Sequence, residues 1–84
     1  MKRSVEDTLD LLKDRYDLGT KIPKVQFPPF YVEKWGVNNL YKCDLALGYR
    51  LTYTLTADAV GIRVDVLEIL SHSDYNRRFG YRTT

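Results

Sequence analysis

Three stretches in the second half of the chain alternate apolar and polar residues, and no other feature restricts the fold as much. They are "NLYKCDLA", "YRLTYTLT" and "VGIRVDVLEIL", separated by short gaps. A period of two marks a strand with one buried face, because successive side chains point to opposite sides. Gly48 stands in the first gap and "ADAVG" at the second, so tight turns join the segments. The expected unit is an antiparallel meander with strands over 38–46, 49–56 and 60–70.

Alternation also assigns faces. In the second strand Tyr49, Leu51, Tyr53 and Leu55 point one way, and Arg50, Thr52, Thr54 and Thr56 the other. In the third, Val60, Ile62, Val64 and Val66 face the core and Arg63 and Asp65 lie opposite. In the first, Tyr41, Cys43 and Leu45 face the core and Lys42 and Asp44 do not. One face is therefore apolar, while the other gathers Lys42, Asp44, Arg50, Thr52, Thr54, Arg63 and Asp65. This holds for a register without bulges. Two uses of the polar face stay open: a solvated surface with ion pairs Arg50–Asp44 and Arg63–Asp65, or a surface for an anionic ligand.

The start of the chain supplies the cover for the apolar face. "SVEDTLDLLKDRYDLG" has Val5, Leu9, Leu12 and Tyr16 at helical spacing, with Leu11 widening the stripe. Ser4 is the expected cap, Asp7 follows three residues later, and Gly19 is the expected stop. The next stretch, "TKIPKVQFPPFYVEKWGVNN", carries Pro23, Pro28 and Pro29, which argue against a helix and against a central strand. It is expected as an extended, packed connection with a strand near Phe30–Val32, and with Trp35–Gly36 as an anchor and turn. The expected class is α+β: an N-terminal helix on an antiparallel sheet of three to four strands, one domain over residues 1–84.

Composition excludes several chemistries. The single cysteine, Cys43, rules out an intramolecular disulfide and suits a reducing cytoplasm. One histidine and one cysteine cannot build a dense zinc-ligand pattern. The sequence has no phosphate-binding glycine loop, no G-x-S-x-G and no apolar run long enough for a membrane span; no cofactor and no membrane partner are expected. Net charge is only +2, but residues 1–18 carry four basic and five acidic side chains, and residues 19–84 nine and six. The excess of positive charge thus lies with the strands. The last segment, "SHSDYNRRFGYRTT", holds the only histidine, His72, together with Tyr75, Tyr81, Arg77, Arg78 and Arg82.

Taken in order, "GVNNLYKCDLALGYRLTYTL", "VDVLEIL" and "SHSDYNRRFGY" resemble the RelE/ParE superfamily of toxins from prokaryotic toxin–antitoxin pairs, most closely its RelE-like branch. "LGYRLTYTL" and "SHSDYNRRFGY" are the most specific pieces, and the likeness runs from about Lys21 to Arg82. It implies a small toxin with a curved sheet that cuts mRNA in the ribosomal A site, silenced by a cognate antitoxin in a hetero-oligomer. It implies that Arg50 contacts the scissile phosphate, that Lys42 is a second basic group, and that His72 is the histidine near the chain end. Tyr75 and Tyr81 are further candidates, because the catalytic aromatic shifts position among members. Two departures stand out: Asp44 lies where some members carry a lysine, and the chain reads as lacking the usual first strand and helix.

Cleavage of RNA through its own 2′-hydroxyl needs a base, a cation for the crowded phosphorane and an acid for the leaving oxygen. Arg50 suits the phosphate, with Lys42 and Arg63 adding charge to the same face. His72 suits proton transfer, and Tyr75 or Tyr81 suits stacking on a base. Arg77, Arg78 and Arg82 suit the RNA backbone. The plainer alternatives are that Arg50 only pairs Asp44, that His72 only turns the chain, and that Tyr75, Phe79 and Tyr81 bury their rings. A ParE-like toxin that binds DNA gyrase, or a relative that keeps only antitoxin binding, are the other functions the resemblance allows.

Overall fold

The computed structural model describes residues 2–80. The class is α+β: three helices and a four-stranded antiparallel sheet with strands in chain order. The meander is present as β2 (Tyr41–Asp44), β3 (Arg50–Ala57) and β4 (Ile62–Leu70). A two-residue strand, β1 (Thr20–Lys21), pairs with β2 and completes the sheet. No described helix is long and apolar enough to cross a membrane.

Helix α1 (Lys2–Asp14) covers one face of the sheet. Part of its stripe works as the spacing predicts: Leu12 joins Leu45, Leu51 and Tyr53 in a buried cluster, with Val5, Leu9, Tyr41, Cys43, Leu55 and Val64 around it, but Leu11 is exposed and Tyr16 lies beyond the helix and is exposed too. Ser4 is not the cap. It lies inside the helix, and its Oγ accepts the Ala46 N–H at 3.0 Å. The helix also ends before Gly19. That glycine instead lies against Tyr53, whose hydroxyl accepts the Gly19 N–H and donates to the Tyr16 carbonyl, both at 2.9 Å.

The opposite face is covered as well, contrary to the open polar surface expected from alternation. The stretch with the prolines forms a helix, α2 (Pro29–Trp35), not a strand near Phe30–Val32. Pro29 sits at its start, where a missing N–H costs nothing and φ is already suitable; Gly36, in the left-handed region, closes it. Trp35 anchors against Phe30 and Tyr31. The chain end forms a third helix, α3 (His72–Phe79), capped by Ser71, whose side chain accepts the Asp74 N–H. Tyr31, Ile22 and Leu40 make a second buried cluster, with Phe79 and Leu67 against it. Thr52 and Thr54 are buried beneath these elements. Their hydroxyls are satisfied: Thr52 pairs with the Tyr31 hydroxyl at 2.9 Å, and Thr54 donates to the Asn39 carbonyl at 2.8 Å.

A bulge changes the expected faces of β4. Thr52 pairs with Glu68 but Tyr53 with Val66, so Leu67 is an extra residue. Beyond it the faces exchange. Ile69 joins Leu51 on the α1 side, and Glu68 and Leu70 join Thr52 and Arg50 on the α3 side. At the other end Val60 is not a core residue. It is 98% exposed in the β3–β4 turn, which the Asp58 carboxylate holds by accepting the Val60 and Gly61 N–H groups.

Candidate functional site

Strand register brings three of the expected residues to one rim of the sheet. Asp44 lies directly across from Arg50, and Lys42 stands two residues before it on the same face. The Asp44 carboxylate is 3.2 Å from Arg50 Nε and 3.4 Å from Lys42 Nζ. Two cations therefore share one anion, leaving an excess of one positive charge. Tyr75 of α3 supplies the floor: the Arg50 guanidinium lies 4.6 Å from the centre of its ring. Arg50 retains 23% of its side-chain surface and Asp44 71%, so the guanidinium is held over the ring while part of the side chain still meets solvent. A planar, always charged fork in this posture suits a phosphate group.

Tyr75 is 2% exposed. Phe79 stacks on it at 4.3 Å with planes 21° apart, and the Arg50 guanidinium also lies over it. So buried a ring is closed to stacking by a nucleobase, and what it offers the rim is its contact with Arg50. His72 is the first residue of α3 and exposed. It lies one turn before Tyr75, a spacing that makes neighbours on a helix surface. It stands two residues after Leu70, the residue across from Arg50, so α3 begins at the end of the sheet that carries Arg50.

The other candidates lie elsewhere. Arg63 is paired across from Thr56, six residues along β3 from Arg50, or about 20 Å at ~3.3 Å per residue. Its guanidinium grips Asp65 through Nε at 2.8 Å and Nη2 at 3.2 Å. That pair and the Thr56 hydroxyl hold the Asp65 carboxyl below its usual pKa range. Arg78 is committed to the fold: it grips Glu68 at 2.9 and 3.0 Å and lies 4.3 Å over the Phe30 ring. Arg77 is exposed beside Asp74. Tyr81 and Arg82 fall outside the described residues. Cys43 is half-buried, and burial pushes its thiol pKa up, the opposite of an activated nucleophile.

Several residues that shape the site carried weaker signals in the sequence. Glu68, the anchor of Arg78, is hidden by the bulge, which moves it off the α1 face. The capping pattern of Ser71 with Asp74, followed by Gly80, does announce α3. Leu47, in the β2–β3 connection between Asp44 and Arg50, has φ of 60° and is 83% exposed; that left-handed conformation is uncommon for leucine. No family model, no curated protein and no solved structure matches this chain.

Proposed function

We propose that this protein is a cytoplasmic, ribosome-dependent mRNA endonuclease, the toxin of a toxin–antitoxin pair. The observation that carries the reading is the Arg50 guanidinium held over the Tyr75 ring at the sheet rim, sharing the Asp44 carboxylate with Lys42, at the end of the sheet where α3 begins with His72. The sequence resemblance supports it independently of the geometry. In this reading Arg50 and Lys42 hold the scissile phosphate and stabilise the phosphorane formed by 2′-hydroxyl attack. His72 transfers a proton at the 2′-oxygen or at the leaving 5′-oxygen. The message enters as an edge-on ligand at the rim, because α2 and α3 occupy the centre of that sheet face. Arg77 is the exposed arginine of α3 left to hold the RNA backbone. An antitoxin silences the protein in the cell.

Asp44 favours a second reading, a relative that has kept the fold and antitoxin binding but not cleavage. Its carboxylate already occupies both cations, and a phosphate must displace it. Primer extension on a reporter mRNA in a cell-free translation mixture separates the two. Endonuclease activity gives coding-region cuts that require ribosomes and vanish with Arg50→Ala, while circular dichroism shows the variant folded. An intact message with the folded wild-type protein overturns the endonuclease reading. Inhibited supercoiling with intact message would instead place the protein with gyrase-directed toxins.

A further inference from the structure

Strand β4 is an edge of the sheet, and among the described residues nothing pairs with its outer side. Two sets of hydrogen bonds fix which backbone groups face that edge. Asp58 N–H donates to the Gly61 carbonyl at 2.8 Å. Bonded and non-bonded pairs alternate from there, so Thr56–Arg63 and Thr54–Asp65 are bonded while Ala57–Ile62, Leu55–Val64 and Tyr53–Val66 are not. Asn39 gives the same phase. Its side-chain amide takes the Leu55 N–H at 2.7 Å and the Leu55 carbonyl at 2.9 Å from the β2 side, so neither turns toward Val64. The N–H and C=O groups of Ile62, Val64 and Val66 therefore point outward.

The side chains of these three residues stand on the α1 face, and α1 does not reach over them fully. Ile62 is 49% and Val66 41% exposed. A groove of about 400 Å³ runs between Ile62 and Val64 on one side and Leu9, Leu12 and Tyr16 on the other. The opposite face of the same segment carries Arg63 and Asp65. Beyond the segment, the bulge at Leu67 ends the regular edge, and the turn at Asp58–Gly61 ends it at the other side. The sheet's other edge, β1, has only two residues, which is one way edges are kept from pairing. The β4 edge has no such protection between Ile62 and Val66.

We propose that this segment pairs antiparallel with the same segment of a second copy of the chain, about a twofold axis at Val64. In that register Val64 faces Val64 of the second copy, Ile62 faces Val66, and Arg63 faces Asp65. The twofold axis stands perpendicular to the sheet, so the apolar sides meet on the α1 face and the charged sides on the other. Three facing pairs exchange two bonds each, about six main-chain hydrogen bonds. Neighbouring registers with the same outward phase fail: an axis at Arg63 opposes two arginines, and an axis at Asp65 opposes two aspartates, both unfavourable. The pattern Ile62-Arg63-Val64-Asp65-Val66 is self-complementary at Val64, which commits the edge to a second copy over an unrelated strand.

Sedimentation equilibrium of the purified full chain over a range of concentrations tests this. The wild type is expected to form a reversible dimer. Arg63→Asp alone and Asp65→Arg alone each place like charges opposite one another and should weaken association by about tenfold. An equimolar mixture of the two should restore it, because each variant then faces its complement. Amide exchange of the wild type is the second readout: protection at Ile62, Val64 and Val66 should rise with concentration. A wild type that stays monomeric, a dimer indifferent to both substitutions, or a mixture that fails to recover overturns the proposal. So does Val64 protection that appears only with a different protein bound.

Discussion

Asp44 decides how much of the positive charge at the sheet rim is available, and Asp44→Asn isolates that effect because it keeps the shape of the side chain. The carboxylate sits 3.2 Å from Arg50 Nε and 3.4 Å from Lys42 Nζ. A phosphate held by the same two cations would lie roughly 6 Å from it. Two unit negative charges at ~6 Å repel by about 0.7 kcal/mol in bulk water and about 3 kcal/mol at an effective dielectric of ~20. Asp44 is 71% exposed, which places the value nearer the water limit, about 1–1.5 kcal/mol. Single-stranded RNA should therefore bind Asp44→Asn roughly five- to tenfold more tightly. Its salt dependence should steepen by up to ~0.7 in log–log slope for each further phosphate engaged. The ion pairs lost are exposed and worth about 0–1 kcal/mol, so the fold should survive. Fluorescence anisotropy with a labelled oligonucleotide at two salt concentrations measures both quantities. An unchanged or weaker affinity in the folded variant refutes the reasoning, and so does an equal gain when Arg50→Ala is also present.

Two further predictions concern the α1 face. The Tyr53 hydroxyl is bonded to the Gly19 N–H and the Tyr16 carbonyl, and Tyr53→Phe leaves both without it, at about 1–2 kcal/mol, or roughly 5–10 °C in melting temperature for a domain this small. Burial pushes the Tyr53 pKa up to about 12 from an ordinary value of 10.0. The folded state thus holds that proton more tightly, so the contribution is intact below about pH 10 and is lost as pH rises through about 12. Melts from pH 8 to 12 should show a shallower alkaline loss for Tyr53→Phe than for wild type; equal losses would mean the hydroxyl is not the group responsible. Gly19→Ala would put a Cβ 2.6 Å from the Tyr53 hydroxyl oxygen and 2.7 Å from the Lys42 carbonyl oxygen. The carbonyl belongs to the β1–β2 pairing and cannot swing aside, so a loss of about 1–3 kcal/mol is expected, and a melting temperature equal to wild type would contradict that close approach.

The meander and the Arg50–Asp44 pair were legible in the sequence because a period of two leaves no choice of face once turns are placed. Register then sets residue 44 across from residue 50. The second face was not legible in the same way. Pro28 and Pro29 read as breakers, yet Pro29 occupies the one helical position where proline is favoured. The helix it starts carries Tyr31 onto Thr52. β1 is two residues long, too short for any periodicity to register. The bulge at Leu67 is marked in "VDVLEIL" only by the apolar doublet Val66–Leu67, where the alternation changes phase as the backbone gains a residue. Each of these matters for the site. Alternation alone offers a broad polar face running from Lys42 to Arg63. The helices bury its centre at Thr52 and Thr54 and leave Arg63 about 20 Å away with its own carboxylate partner. What remains for a polyanion is the rim, where Tyr75 can lie under Arg50 only because α3 folds back across the sheet. The charge at that rim follows from strand pairing, but its posture follows from a helix whose signals are a serine cap and a terminal glycine. The setting of Arg50 therefore depends on the stability of α3 as much as on the strand that carries the arginine.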